Sequence, residues 1–163
     1  MKLVRNLSKC FCLLILFSGT LSTSVNAQVV PDHVVVLILE NHAYTQIIGS
    51  TAAPYINALA YDPSSALFTQ SYAIEHPSQP NYLDFYSGCN QGITTDNLPT
   101  GTPYTTSNLG RQLLDAGKTF VTYSEGLPSV GYNGASSGTY ARKHNPAANW
   151  MGTGTNQDRK SVV

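Results

Sequence analysis

The chain has 163 residues, 42% of them hydrophobic and only 11% charged, with nine Lys and Arg set against nine Asp and Glu. That balance excludes a basic stripe for nucleic acid, and the four His are scattered rather than clustered. The length suits one domain around one modest core.

At the start, Lys2, Arg5 and Lys9 precede an apolar run over residues 10–17, and Val25, Asn26 and Ala27 end in the small residues that a signal peptidase accepts. Residues 1–27 are therefore expected to be a secretory signal, with the mature chain beginning at Gln28 and working in the periplasm or outside the cell. The apolar run is shorter than the roughly 20 residues that span a bilayer, and no later stretch is longer, so no transmembrane anchor is expected after cleavage. Without the signal, six basic residues face nine acidic ones, a net charge of −3. Cys10 and Cys12 leave with it, and Cys89 remains as an odd cysteine of an exported protein, which suggests a missing partner.

Residues 33–39, HVVVLIL, are apolar on both faces and rich in β-branched side chains, which predicts a central parallel strand covered by helices on both sides. Glu40 and Asn41 then stand at its carboxyl end, the edge where open α/β sheets bind ligands. A helix is predicted over residues 54–61, with Pro54 at its first position and Ile56, Leu59 and Ala60 as its apolar stripe. Alternation over residues 67–74 predicts a second strand. A helix follows over residues 79–86 and is ended by Ser87 and Gly88. Residues 89–106, dense in Gly, Pro, Thr and Asn, read as a long ordered loop. Ser107 is expected to cap a helix whose Leu109, Leu113 and Leu114 face inward and which Gly117 stops. Residues 118–123 predict a third strand, and the Gly-rich remainder is irregular. Alternating strands and helices argue for one α/β domain over residues 28–157, with a mostly parallel sheet and helices on both faces. Residues 158–163 depart from the texture before them and are expected to be a non-native tail; an ordinary polar tail is the other reading.

The chemistry concentrates in His76-Pro77-Ser78-Gln79-Pro80-Asn81-Tyr82. It sets an imidazole, a hydroxyl and an amide around the first turn of a helix, where unsatisfied N–H groups and partial positive charge favour a phosphate. Ser78 has two readings, a helix N-cap or a nucleophile; Asn81, one helical turn on, is placed to donate to a phosphoryl oxygen while the hydroxyl attacks phosphorus. His76 either donates to a leaving group or orders the loop. Glu40 and Asn41 offer two hard oxygen donors for a divalent cation, whereas His42 reads as a hydrogen-bonded loop residue.

HVVVLILENHAY and APYINALA, then HPSQPNYLDFYSG, then GKTFVTYSEGLPS and ARKHNP together resemble the bacterial phosphoesterase family of secreted acid phosphatases and phospholipase C enzymes, which is similar to the alkaline-phosphatase-like superfamily. The resemblance covers most of the mature chain. It implies an alkaline-phosphatase-like α/β fold and a metal-dependent phosphoric-ester hydrolase whose substrate is a small phosphate ester or a phospholipid. It also implies that Ser78 is the nucleophile, that Asn81, His76 and His144 contact substrate phosphate, and that Glu40 and Asn41 are the first ligands of a divalent metal ion of unknown identity. Tyr82 is expected to pack beneath the site. Sulfatase chemistry is disfavoured, because no Arg follows Ser78 at the spacing that branch uses. Further family blocks with metal-binding Asp residues are absent, so the chain is expected to be an N-terminal portion that lacks the C-terminal part, and an inactive fragment is an alternative reading. The reading from another class is an exported, non-catalytic binding module for a phosphorylated or glycan ligand.

Overall fold

The computed structural model describes residues 30–150 and the backbone of residues 161–162. The expected signal over residues 1–27, and residues 158–160 and 163 of the expected tail, lie outside the described residues. The chain divides into two compact units, residues 1–59 and 60–163.

In the first unit, residues 33–39 run without regular structure and stay open to solvent, with Val35 89% and Ile38 46% exposed. The expected first strand is therefore corrected to an unpaired segment: its side chains suit a sheet, but a strand exists only where a neighbour takes up its N–H and C=O groups. A short helix, α1 (Tyr44–Ile47), and the start of α2 (Pro54–Ala60) follow. The helix predicted from Pro54 is formed. Asn57 ties the connection between the two, accepting from the Gly49 N–H at 2.6 Å and donating to the carbonyls of Ile47 and Ala53 at 2.8 Å.

In the second unit, residues 67–74 also lack strand structure and leave Phe68, Tyr72 and Ile74 exposed, so the second expected strand is corrected in the same way. Helix α3 (Ser78–Ser87) forms where predicted and ends at Gly88, whose φ of +76° only glycine adopts freely. Helix α4 (Leu109–Asp115) is capped by Asn108 and not by Ser107: the buried Asn108 Oδ1 accepts the Arg111 N–H at 2.9 Å. At its other end the Gly117 and Lys118 N–H groups reach back to the Leu114 and Leu113 carbonyls, the paired closure that a left-handed glycine permits.

Strand structure is sparse. Of the third expected strand only β1 (Thr122–Tyr123) forms, paired in parallel with residues of β4 (Ser161–Val162). A hairpin joins β2 (Ser136–Ser137) to β3 (Tyr140–Ala141), and 3-10 turns follow at Arg142–His144 and Pro146–Asn149. The described chain thus combines helices with small two-stranded sheets. As predicted, residues 89–106 form a loop with no helix or strand of their own, anchored by a parallel bridge between Tyr104 and Trp150.

The core of this unit joins α3 to the 3-10 turns. Leu83, Tyr86, Ala147 and Trp150 are buried, with Ile93, Tyr104, Leu109 and Phe120 packed around them. The Trp150 ring lies 5.2 Å from Tyr86 and 5.1 Å from Tyr104, both edge-on, the arrangement that aromatic quadrupoles favour. Its Nε1 donates to the Thr106 carbonyl at 2.9 Å, so the largest buried side chain also holds the loop.

Candidate active site

Ser78 occupies the first position of α3, with Pro77 as the N-cap residue. This corrects the N-cap reading of Ser78 by one residue: the N-cap position belongs to Pro77, which makes no side-chain cap. Proline suits the position before the helix, because it has no N–H to satisfy. Ser78 is half-buried, whereas His76 is exposed in the approach to the helix.

That approach is held from within the helix. Asn81 Oδ1 accepts from the N–H groups of Ile74 and Glu75 at 3.0 Å each, and Nδ2 donates to the carbonyls of Glu75 at 2.8 Å and Pro77 at 3.0 Å. The amide one turn beyond Ser78 therefore braces the four residues before it. Glu75 in turn accepts from Asn90 Nδ2 at 2.7 Å, fastening the segment to the turn after α3.

A second set of contacts fixes the residue after Ser78. Gln79 is buried; its N–H donates to Asp96 Oδ1 at 3.0 Å, and its side-chain amide donates to the carbonyls of Thr95 and Asn97 at 2.7 Å each. Asp96 Oδ2 accepts from Lys143 Nζ at 2.6 Å. Burial raises the Asp96 carboxyl pKa, but Lys143, the Gln79 N–H and the nearby His144 outweigh it and hold the group below its ordinary value. Gln79, Asp96 and Lys143 escaped the sequence reading because Asp96 and Lys143 stand 47 positions apart. The signal within reach was a lone carboxylate in an otherwise neutral loop, opposite the start of a helix.

His144 lies in the 3-10 turn that packs on α3, its ring 5.5 Å from that of Tyr82. Tyr82 is buried and lies on the same helix as Ser78. Ser78, Asn81, His76 and His144 thus belong to one compact unit, and Glu40 and Asn41 to the other. Glu40 and Asn41 are exposed and adjacent in the chain. Their carboxylate and amide oxygens suit a hard divalent cation, but such a cation takes about six oxygen ligands, and no group of three or more His, Cys, Asp or Glu is assembled to hold one among the described residues.

The family model described as Phosphoesterase family matches residues 50–161, more than half of the chain. The chain belongs to the phosphoesterase family. The matched span contains His76, Ser78, Asn81 and His144, and also Gln79, Asp96 and Lys143; Glu40 and Asn41 precede it. Among curated relatives in which such sequence occurs, a phosphatidylinositol-3-phosphatase of Mycobacterium tuberculosis is 42% identical over 76% of this chain and 40% of its own length. A probable acid phosphatase of Kluyveromyces lactis is 27% identical over 68% of this chain and 27% of its own. An acid phosphatase of Aspergillus fumigatus is 33% identical over 49% and 19% respectively. The chain therefore spans well under half the length of these relatives. No solved structure matches it significantly. Among the described residues no helix is long and apolar enough to cross a membrane.

Proposed function

We propose that the whole protein is an exported, metal-dependent phosphoric-ester hydrolase of the acid phosphatase or phospholipase C type that works through Ser78. The observation that carries this reading is the position of Ser78 in a family of phosphoesterases: a hydroxyl at the first residue of a ten-residue helix, in a segment braced on both sides. The partial positive charge of such a helix end favours a phosphate next to that hydroxyl. Because all three relatives are named phosphatases, we infer a phosphomonoester, either small or carried on a lipid headgroup, ahead of the phosphodiester that a phospholipase C cleaves.

In the proposed reaction the Ser78 oxygen forms a bond to phosphorus and loses its proton to solvent, while the bond from phosphorus to the ester oxygen breaks and the departing alcohol takes up a proton. Water then attacks the phosphoserine, restoring the hydroxyl and releasing inorganic phosphate. His76 and His144 are assigned to the substrate phosphate, and Asn81 to a phosphoryl oxygen, which would take one of the two Nδ2 hydrogens that the brace gives to the Glu75 and Pro77 carbonyls. Glu40 and Asn41 are assigned as two ligands of a divalent cation, which when bound would lower the charge developing on the transferring group. The remaining ligands, and the doubly covered parallel sheet of the alkaline-phosphatase-like superfamily, are proposed for the whole protein.

The test is hydrolysis of p-nitrophenyl phosphate by the whole protein. Treatment with a chelator is expected to abolish turnover and readdition of divalent ions to restore it. Ser78→Ala is expected to lower kcat by several orders of magnitude, up to the roughly millionfold loss seen when a serine nucleophile is removed, and acid quenching should trap phosphate on Ser78 in the parent only. A Ser78→Ala protein that keeps its rate removes the serine from the mechanism.

A further inference from the structure

We propose that Asp96 and Lys143 act as one positioning unit for the reaction, fixing the direction of the Ser78 hydroxyl through Gln79. The proposal rests on the assignment of Ser78 as nucleophile.

A side chain at the first position of a helix points where the backbone of that residue and the next one send it. The next residue here is Gln79, and it is fastened at both ends. Its main-chain N–H, one of the orphan donors of the helix start, is held by Asp96 Oδ1 at 3.0 Å, and its buried side chain is gripped by the carbonyls on either side of Asp96. Residues 95–97 thus surround Gln79 from a loop that has no helix or strand to stiffen it. What stiffens that loop here is Lys143, whose ammonium lies 2.6 Å from Asp96 Oδ2 and which stands in the turn packed on α3. Loop, helix start and turn converge on a single carboxylate.

The pair also settles a charge conflict. A carboxylate at the start of α3 takes the place that favours anions and would repel an incoming phosphate beside it. Lys143 cancels that charge where it arises. Asp96 can therefore take the Gln79 N–H without presenting a net negative charge to the substrate. Attack on phosphorus demands close alignment, and a displacement of about 1 Å at such a centre costs on the order of a hundredfold in rate. Loosening the clasp should therefore appear in kcat, because Ser78 is misdirected while the groups assigned to the phosphate stay in place.

The experiment uses the whole protein with divalent ions and p-nitrophenyl phosphate, following kcat, KM, inhibition by inorganic phosphate and thermal unfolding. Asp96→Ala and Lys143→Met are each expected to lower kcat at least tenfold with KM and the phosphate inhibition constant changed less than threefold. Lys143→Arg should keep kcat within threefold of the parent, and the double variant should be no slower than Asp96→Ala alone, since residues acting as a unit are non-additive. Should Asp96→Ala fail to fold, Asp96→Asn decides, because it retains an acceptor for the Gln79 N–H and loses the charge pair; an intermediate kcat is expected. Parent kcat in folded Asp96→Asn or Asp96→Ala overturns the proposal, even if unfolding occurs at a lower temperature. So does a double variant whose loss is the product of the single ones. A Lys143→Met protein with normal kcat but weakened phosphate inhibition assigns the lysine to the phosphate itself and likewise overturns it. Ser78→Ala is run beside these variants: if it is inactive while Asp96→Ala is not, only the positioning role falls, whereas an active Ser78→Ala removes the nucleophile and the clasp's purpose together.

Discussion

Two carboxylates, Asp84 within α3 and Asp96 against its start, are pushed in opposite directions, and each carries its own pH dependence. Burial, followed by the neighbouring Glu75 carboxylate, raises the pKa of Asp84. A raised carboxyl favours the protonated form in the folded chain, so its stabilising effect is full below the ordinary value and is lost as pH rises through the elevated one. Asp84→Asn is accordingly expected to raise the unfolding temperature at neutral pH, with the gain vanishing in acid; a gain that grows in acid would refute the assignment. Asp96 has the opposite sign. Its pKa is depressed, so its contribution is present above the ordinary carboxyl range and disappears as pH falls through the lowered value. Hydrogen exchange at the Gln79 amide should therefore stay slow through mild acid and speed up only once Asp96 is protonated. Asn81 shows why a motif can reveal a residue and hide part of its work. The spacing from Ser78 marks it for a phosphate, while its four bonds to Ile74, Glu75 and Pro77 depend on a backbone path that no spacing encodes. Asn81→Ala is expected to cost on the order of 1–3 kcal/mol for these bonds, read by thermal unfolding, and to release protection at the Ile74 and Glu75 amides.

At the scale of elements, helices α2, α3 and α4 and their ends were legible, whereas α1, the 3-10 turns and the strands were not. The stops of α3 at Gly88 and of α4 at Gly117 follow from turn chemistry that is local in sequence. Even the misplaced cap of α4 is a shift of one residue, from Ser107 to Asn108, between two side chains equally able to cap. Residues 33–39 and 67–74 have the composition of strands, but pairing is a property of two segments, and composition describes only one. Trp150 eluded the reading for another reason: Ala147, Ala148 and Trp150 are buried from an irregular turn with no helical or strand period to mark an inward face. Helix α4 offers a sharp test of the packing. A Cβ at Gly110 would lie 2.7 Å from the Phe120 ring and 2.8 Å from the Tyr86 hydroxyl, closer than such contacts occur. Gly110→Ala should therefore lose about 1–3 kcal/mol, as overpacked cores do, despite the better helix propensity of alanine, and urea denaturation will show it.

For the molecule as a whole, apolar surface is distributed unevenly. Val34, Val35, Leu37 and Leu39 are each at least 66% exposed in one continuous run, the kind of β-prone, uncharged segment that pairs with copies of itself. Produced on its own, the chain is expected to aggregate, and Val35→Lys should delay the onset of light scattering without altering the unfolding of residues 60–150; an unchanged onset would place the sticky surface elsewhere. The second unit is fitted for such measurements by an accident of composition. The chain contains ten tyrosines and a single tryptophan, and that indole sits fully enclosed between two phenol rings with its nitrogen tethered to the Thr106 carbonyl. Its fluorescence is thus a built-in optical gauge. Blue-shifted emission fed by energy transfer from tyrosine reports the loop, the turn and α3 closed together, and a red shift marks the moment water enters between them.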